Sequence, residues 1–121
     1  MRAHRTIPTA LAAAAALMCA GPADAGAPQR KTVKLFDNYY LPLKLTVNKD
    51  STITWKWPTD EVIDVHDVKL KSGPPGVRRF HSDPASTGYR YRRTLRKPGL
   101  YRIVCTLHEE MTMTIRVRRP G

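Results

Sequence analysis

YRIVCTLHEEMTMTIRV, Tyr101 to Val117, joins two strand patterns around a cluster of metal-binding side chains. Tyr101, Ile103 and Cys105 alternate with Arg102 and Val104, and Met113, Ile115 and Val117 alternate with Thr114 and Arg116. A period of two with one apolar face marks strands half-buried in an antiparallel sheet. Between the two runs, Cys105, His108 and Met111 place a thiol, an imidazole and a thioether within seven residues. The alternation points Cys105 inward, predicts a turn through His108, and has Met111 close that turn before the second strand begins.

The same pattern recurs upstream. Leu41, Leu43, Leu45 and Val47 alternate with Pro42, Lys44 and Thr46, and Ile53, Trp55 and Trp57 alternate with Thr54 and Lys56. Turn signals separate the runs: Asn48-Lys49-Asp50-Ser51, Pro58-Thr59-Asp60, Gly73-Pro74-Pro75-Gly76 and Lys97-Pro98-Gly99. No segment past residue 30 sustains a helical period, and no repeat is visible. Short strands at this spacing predict an all-β sandwich or barrel.

The N-terminus reads differently. Arg2 and Arg5, the apolar run Leu11–Ala20 and the small residues of Ala23-Asp24-Ala25 form the pattern of a secretory signal. The run is shorter than the roughly 20 residues a membrane-spanning helix needs. Met18 argues against a lipid anchor on Cys19, because lipoprotein signals want a small residue there. Cleavage after Ala25 predicts an exported chain, periplasmic or extracellular, of residues 26–121: a leader over 26–31 and one domain over 32–119, with no membrane span. Cys19 leaves with the signal, so Cys105 remains alone. A free thiol is a liability in an oxidising compartment, and a bound metal would protect it.

The whole chain carries a formal charge of +11, and losing Arg2, Arg5 and Asp24 leaves +10. Nucleic acid is not the expected partner, because exported proteins seldom meet it and no binding motif is present. The charge suits a solvated surface that favours acidic partners or anionic envelope polymers. Arg90, Arg92, Arg93, Arg96 and Lys97 alternate partly with Tyr89, Tyr91 and Leu95. They read as a solvated sheet face or as a docking stripe for an acidic partner.

Cys105, His108 and Met111 need a fourth donor, and His66 in VIDVHDVKL lies in a strand-like segment far enough back to come from a neighbouring strand. Two histidines, a cysteinate and an axial methionine form the trigonal set of type 1 copper sites. Imidazole favours Cu(II), while thiolate and thioether favour Cu(I). All positions are filled by protein, which leaves no open site for substrate and argues against an enzyme. Each residue also has a plain structural reading: a buried thiol, a loop histidine, a core histidine, an apolar methionine. Met113 is read as packing and His81 as a surface loop residue.

The stretches ITWKWPTDEVIDVHDV and RFHSDPASTGYRYRRTLRKPGLYRIVCTLHEEM resemble cupredoxins of the plastocyanin/azurin family, with a Cys–Met loop like that of amicyanin and pseudoazurin. The resemblance covers about Val33 to Val117. It implies a Greek-key β-sandwich of about seven to eight strands holding one copper ion on His66, Cys105, His108 and axial Met111. It further implies a monomer that exchanges electrons with a redox partner protein through the His108 edge. Three departures stand out. Asp67 occupies a place where many relatives have Asn, Leu107 and Glu109 replace the prolines common beside the second histidine, and Glu109 and Glu110 put negative charge near the presumed docking patch. The expected function is single-electron transfer, and the alternative is a secreted copper-sequestering or copper-delivery protein using the same ligands.

Overall fold

The computed structural model describes residues 26–120; the signal expected over residues 1–25 lies outside the described residues. Eight strands follow in order: β1 (Arg30–Phe36), β2 (Tyr39–Leu41), β3 (Lys44–Asn48), β4 (Ser51–Lys56), β5 (Lys69–Ser72), β6 (Arg90–Leu95), β7 (Gly99–Cys105) and β8 (His108–Arg118). They form two four-stranded sheets with strand orders β2-β1-β4-β6 and β3-β8-β7-β5. β1 pairs parallel with β4 and β3 parallel with β8, and the remaining pairings are antiparallel. Among the described residues there is no helix long and apolar enough to cross a membrane.

The alternation read in the sequence aims side chains as expected along β4, β7 and β8. Ile53, Trp55, Trp57, Tyr101, Ile103, Cys105 and Ile115 are fully buried between the sheets. Trp55 packs against Phe80 and Tyr91, and Trp57 against Tyr89 with ring centroids 4.8 Å apart. Burying each indole is worth on the order of 4–6 kcal/mol of transfer free energy, so β4 anchors the sandwich.

Three expectations change in the folded chain. The Leu41–Val47 run is not one strand. Its two halves, β2 and β3, belong to opposite sheets, and Leu41 and Leu43 at the crossover are 50% and 55% exposed. Pro42 lacks the N–H needed to continue a ladder, which suits a chain changing sheets. The sheet also starts earlier than the leader reading implied. Arg30 and Lys31 lie in β1, opposite Thr52 and Ile53. Gln29 seals this edge, donating its N–H to Ser51 Oγ at 2.8 Å and accepting from the Asn48 N–H at 3.0 Å. Finally, the strand-like segment around His66 forms only an isolated bridge, pairing His66 with Ala85, and β5 begins three residues later at Lys69.

Candidate metal centre

Cys105 ends β7, His108 begins β8, and only Thr106 and Leu107 turn between them. The turn is shorter than the sequence suggested, and Met111 lies inside β8 rather than closing a loop. The register accounts for the difference. Val104 pairs with Thr112 and Cys105 with His108, so one step along β7 is matched by four along β8. Glu109, Glu110 and Met111 are the residues without partners in this bulge. Strict alternation would put His108 and Met111 on opposite faces; the bulge breaks that alternation beside the thiol, as bulges near functional sites do. Met111 is fully buried and His108 half-buried, while both glutamates stay exposed.

His66 arrives on the segment after β4. Its N–H donates to Ala85 O and its carbonyl accepts from the Ala85 N–H, both at 3.0 Å. The next residues are pinned to the same returning segment, through Ser82 N–H to Val68 O at 2.8 Å and Val68 N–H to Ser82 Oγ at 2.9 Å. Trp57 Nε1–H donates to Ala85 O as well, which couples the core indole to the backbone that presents the imidazole.

The donor atoms of His66, Cys105 and His108 all lie within 4.8 Å of one another. Cys105 Sγ is 3.8 Å from His66 Nδ1 and 3.7 Å from His108 Nδ1. Bonds of roughly 2.0–2.1 Å to imidazole nitrogen and 2.3 Å to thiolate sulfur put the two atoms about 3.6–3.8 Å apart for angles between tetrahedral and trigonal. The three donors therefore fit one ion. Burial pushes the Cys105 thiol above its usual pKa and the nearby Asp67 carboxylate adds to the rise, against the backbone N–H groups that favour the anion. A thiol held in this way loses its proton to solvent readily only when a metal cation takes the proton's place on sulfur. With the buried thioether of Met111 beside them, these residues are positioned to form a type 1 copper site.

A second layer of groups fixes the donors, and most of it was invisible in the sequence. His66 Nε2 lies 3.0 Å from Asp37 Oδ1, which also accepts from the Asp64 N–H at 2.8 Å. Asp37 sits in the two-residue turn between β1 and β2, where Asn38 adopts φ 73°, a left-handed conformation Asn tolerates well. Those two hydrogen bonds, the backbone one first, hold the Asp37 carboxyl below its usual pKa. A proton on Nε2, shared with Asp37, leaves Nδ1 as the lone-pair donor facing Cys105.

Asp67 performs a different task. Its Oδ1 accepts from the Thr106 N–H at 2.7 Å, and its Oδ2 meets both Thr106 Oγ1 and His81 Nε2, the latter at 2.8 Å. This carboxylate latches the segment carrying His66 to the turn after Cys105. Burial works to raise its pKa, but the bonds from His81 and Thr106 outweigh burial, and the carboxyl lies below its usual value. Tyr40 braces the same residue from behind, its buried hydroxyl donating to Asp67 O at 2.7 Å. The departure from Asn at this position thus has a structural role of its own. His81, read as a loop residue, is half-exposed and bound to that carboxylate.

No protein-family model and no curated protein matches the sequence. Solved structures do. A copper-containing nitrite reductase from Thermus scotoductus SA-01 is similar at 28% identity and a TM-score of 0.63 over 76% of this chain, which spans 23% of the reductase's length. Amicyanin from Paracoccus versutus is similar at 24% identity and TM-score 0.63, over 74% of this chain and 81% of its own. A pseudoazurin from Sinorhizobium meliloti shows 20% identity and TM-score 0.62, over 77% and 76% of the two chains. The chain has the cupredoxin fold. The sandwich is that of amicyanin and pseudoazurin, with the His66–Cys105–His108 cluster set between its sheets at one end.

Proposed function

We propose that this chain is an exported type 1 copper protein that carries single electrons between redox partners and performs no catalysis of its own. The observation carrying this reading is the convergence of the buried Cys105 thiol on the two imidazole Nδ1 atoms, at 3.8 and 3.7 Å, with buried Met111 next to them. Bound copper would supply a one-electron couple between Cu(II) and Cu(I).

The protein's part is to hold that couple steady. Cys105 gives up its proton on binding. Asp37 keeps His66 in one tautomer, and the Asp67 latch keeps the β7–β8 turn fixed to the segment before β5. A scaffold that moves little between two charge states adds little reorganisation to electron transfer. His66, Cys105 and Met111 are sealed from solvent, so His108, the half-buried donor, offers the route outward. Exposed Leu107 and Val65 lie beside His108 and His66 in the chain and supply apolar surface for a partner. The charge of +10 left once the signal is lost favours an acidic one.

Copper titration of residues 26–121, with Cys105→Ser alongside, tests the proposal. The expected result is an intense thiolate-to-copper band that saturates at about one copper per chain, is lost in the variant, and bleaches reversibly on reduction with the metal retained. A colourless protein, or equal binding without Cys105, refutes the site. Release of copper on reduction would favour delivery over electron transfer.

A further inference from the structure

We propose that the β6 edge of the sandwich is a binding track for a flexible linear polyanion bearing a phosphate group at each repeat, a role independent of the copper reading. The outward faces of β1, β4 and β6 align in three rows: Arg30–Thr52–Thr94, Thr32–Thr54–Arg92 and Lys34–Lys56–Arg90. The third row sets three cations side by side on strands roughly 4.8 Å apart. Like charges directly opposite one another destabilise a sheet. Among the described residues, none of these three forms an ion pair. A polyanion laid across the rows would relieve that repulsion, and the hydroxyls of Thr32 and Thr54 beside Arg92 can donate to its oxygens, while Thr52 and Thr94 bond each other at 3.0 Å.

The charge continues around the edge. Arg92 also lines a groove of about 580 Å³, where it meets Arg78, Arg79, Arg93, Arg96 and Lys97. The ion pair found there joins Arg96 to Asp50 at 3.8 Å, with both side chains exposed. Two of the guanidiniums are held in place. Arg79 donates to the carbonyls of Leu70 and Lys71 at 2.8 and 3.0 Å. Arg93 lies over the rings of Phe80 and Tyr91 and donates from Nε to Tyr91 Oη at 2.9 Å. Arginine forks fixed in advance suit phosphate oxygens and lose less freedom on binding.

The geometry favours a chain over other anionic partners. A bilayer is planar and reaches one side of an edge strand, whereas here Arg90 and Arg92 line the outer face while Arg93 lines the groove. Nucleic-acid bases need exposed rings to stack on, and the three rows carry only Thr, Lys and Arg. A redox protein docked at the donor cluster would reach the Lys34–Lys56–Arg90 row, which lies just before Asp37, but not the groove's Arg96–Lys97 turn, which lies the length of β7 from Cys105, about 20 Å for a strand of seven residues.

The test measures binding of long-chain inorganic polyphosphate to residues 26–121 as a function of salt. It compares Arg78→Gln/Arg92→Gln/Arg96→Gln with Lys44→Gln/Arg102→Gln/Arg116→Gln, which removes the same charge from exposed positions on the other sheet. The first variant is expected to lower the slope of log affinity against log salt by about 2, near 0.7 for each phosphate no longer neutralised, and the second to leave it unchanged. Should the triple variant misfold by circular dichroism, Arg92→Gln alone is expected to lower the slope by about 0.7. Equal losses in both triple variants would mean that net charge, not this track, binds the polymer. Displacement by orthophosphate at equal phosphate concentration would reduce the track to a simple anion site. Preference for anionic vesicles or single-stranded DNA over polyphosphate would likewise overturn the proposal.

Discussion

Replacing Asp37 by Ala removes the group that fixes His66 without touching any proposed ligand. The substitution deletes the partner of His66 Nε2 at 3.0 Å and of the Asp64 N–H at 2.8 Å. His66 is fully buried, so an unpartnered Nε2–H costs about 1–3 kcal/mol. The ring then has reason to move its proton to Nδ1, the atom that must be bare to bind metal. Loss of such a carboxylate behind a ligating histidine typically weakens metal binding 10–100-fold. The Asp37 side chain is 50% exposed, so water can replace part of the bond, and the expected loss lies at the low end, about tenfold or 1.4 kcal/mol. Asp37→Asn retains an acceptor for both donors and is expected to lose less. Competition against a chelator of known affinity at fixed pH, read from the copper absorption band, measures both. An Asp37→Ala affinity within about twofold of the parent, against the expected tenfold, would refute the assigned role.

Further outcomes follow from the same geometry. Asp37 and Asp67 both have carboxyl pKa values lowered from 3.8 in the folded chain, so the unfolded chain binds more protons as acid is added. Their stabilisation is complete above the unfolded value and is lost as pH falls through the folded values. The metal-free protein should therefore hold a flat Tm from neutrality down to about pH 5 and lose it progressively below about pH 4, with Asp67→Asn blunting the decline. A Tm that rises on acidification contradicts the assignment. Tyr40→Phe leaves the Asp67 carbonyl without its 2.7 Å donor and should cost about 1–2 kcal/mol in chemical denaturation; an unchanged midpoint would show that the hydroxyl contributes nothing. Gly99→Ala puts a Cβ 2.6 Å from Pro74 Cγ at a residue with φ 139°. A loss of about 1–3 kcal/mol is expected, with the copper band intact because the strain lies at the opposite end of β7 from Cys105.

The inward faces of β4, β7 and β8 were legible because side-chain direction in a strand depends only on sequence parity, and their burial follows from it. The cysteine, second histidine and methionine were legible as a spacing within seven residues, and the first histidine as the donor that spacing lacked. Parity failed where the chain left its sheet. Leu41 and Leu43 fit an apolar alternation yet are exposed, since β2 and β3 join different sheets and no local signal records that choice. The β8 bulge was equally hidden, because a bulge is defined by a partner strand's register and not by its own residues. Asp37 lies 29 residues from His66, and His81 lies 14 residues from Asp67. Each looks like an ordinary surface residue until pairing brings it to its partner. The sequence by itself determined which atoms can bind a metal and which faces turn inward, since both follow from residue type and period. Only the tertiary structure decided which carboxylate faces the buried histidine, which one latches the loops and how the cations align into rows. Those are properties of contacts between distant segments, and they exist only once the two sheets have found their register.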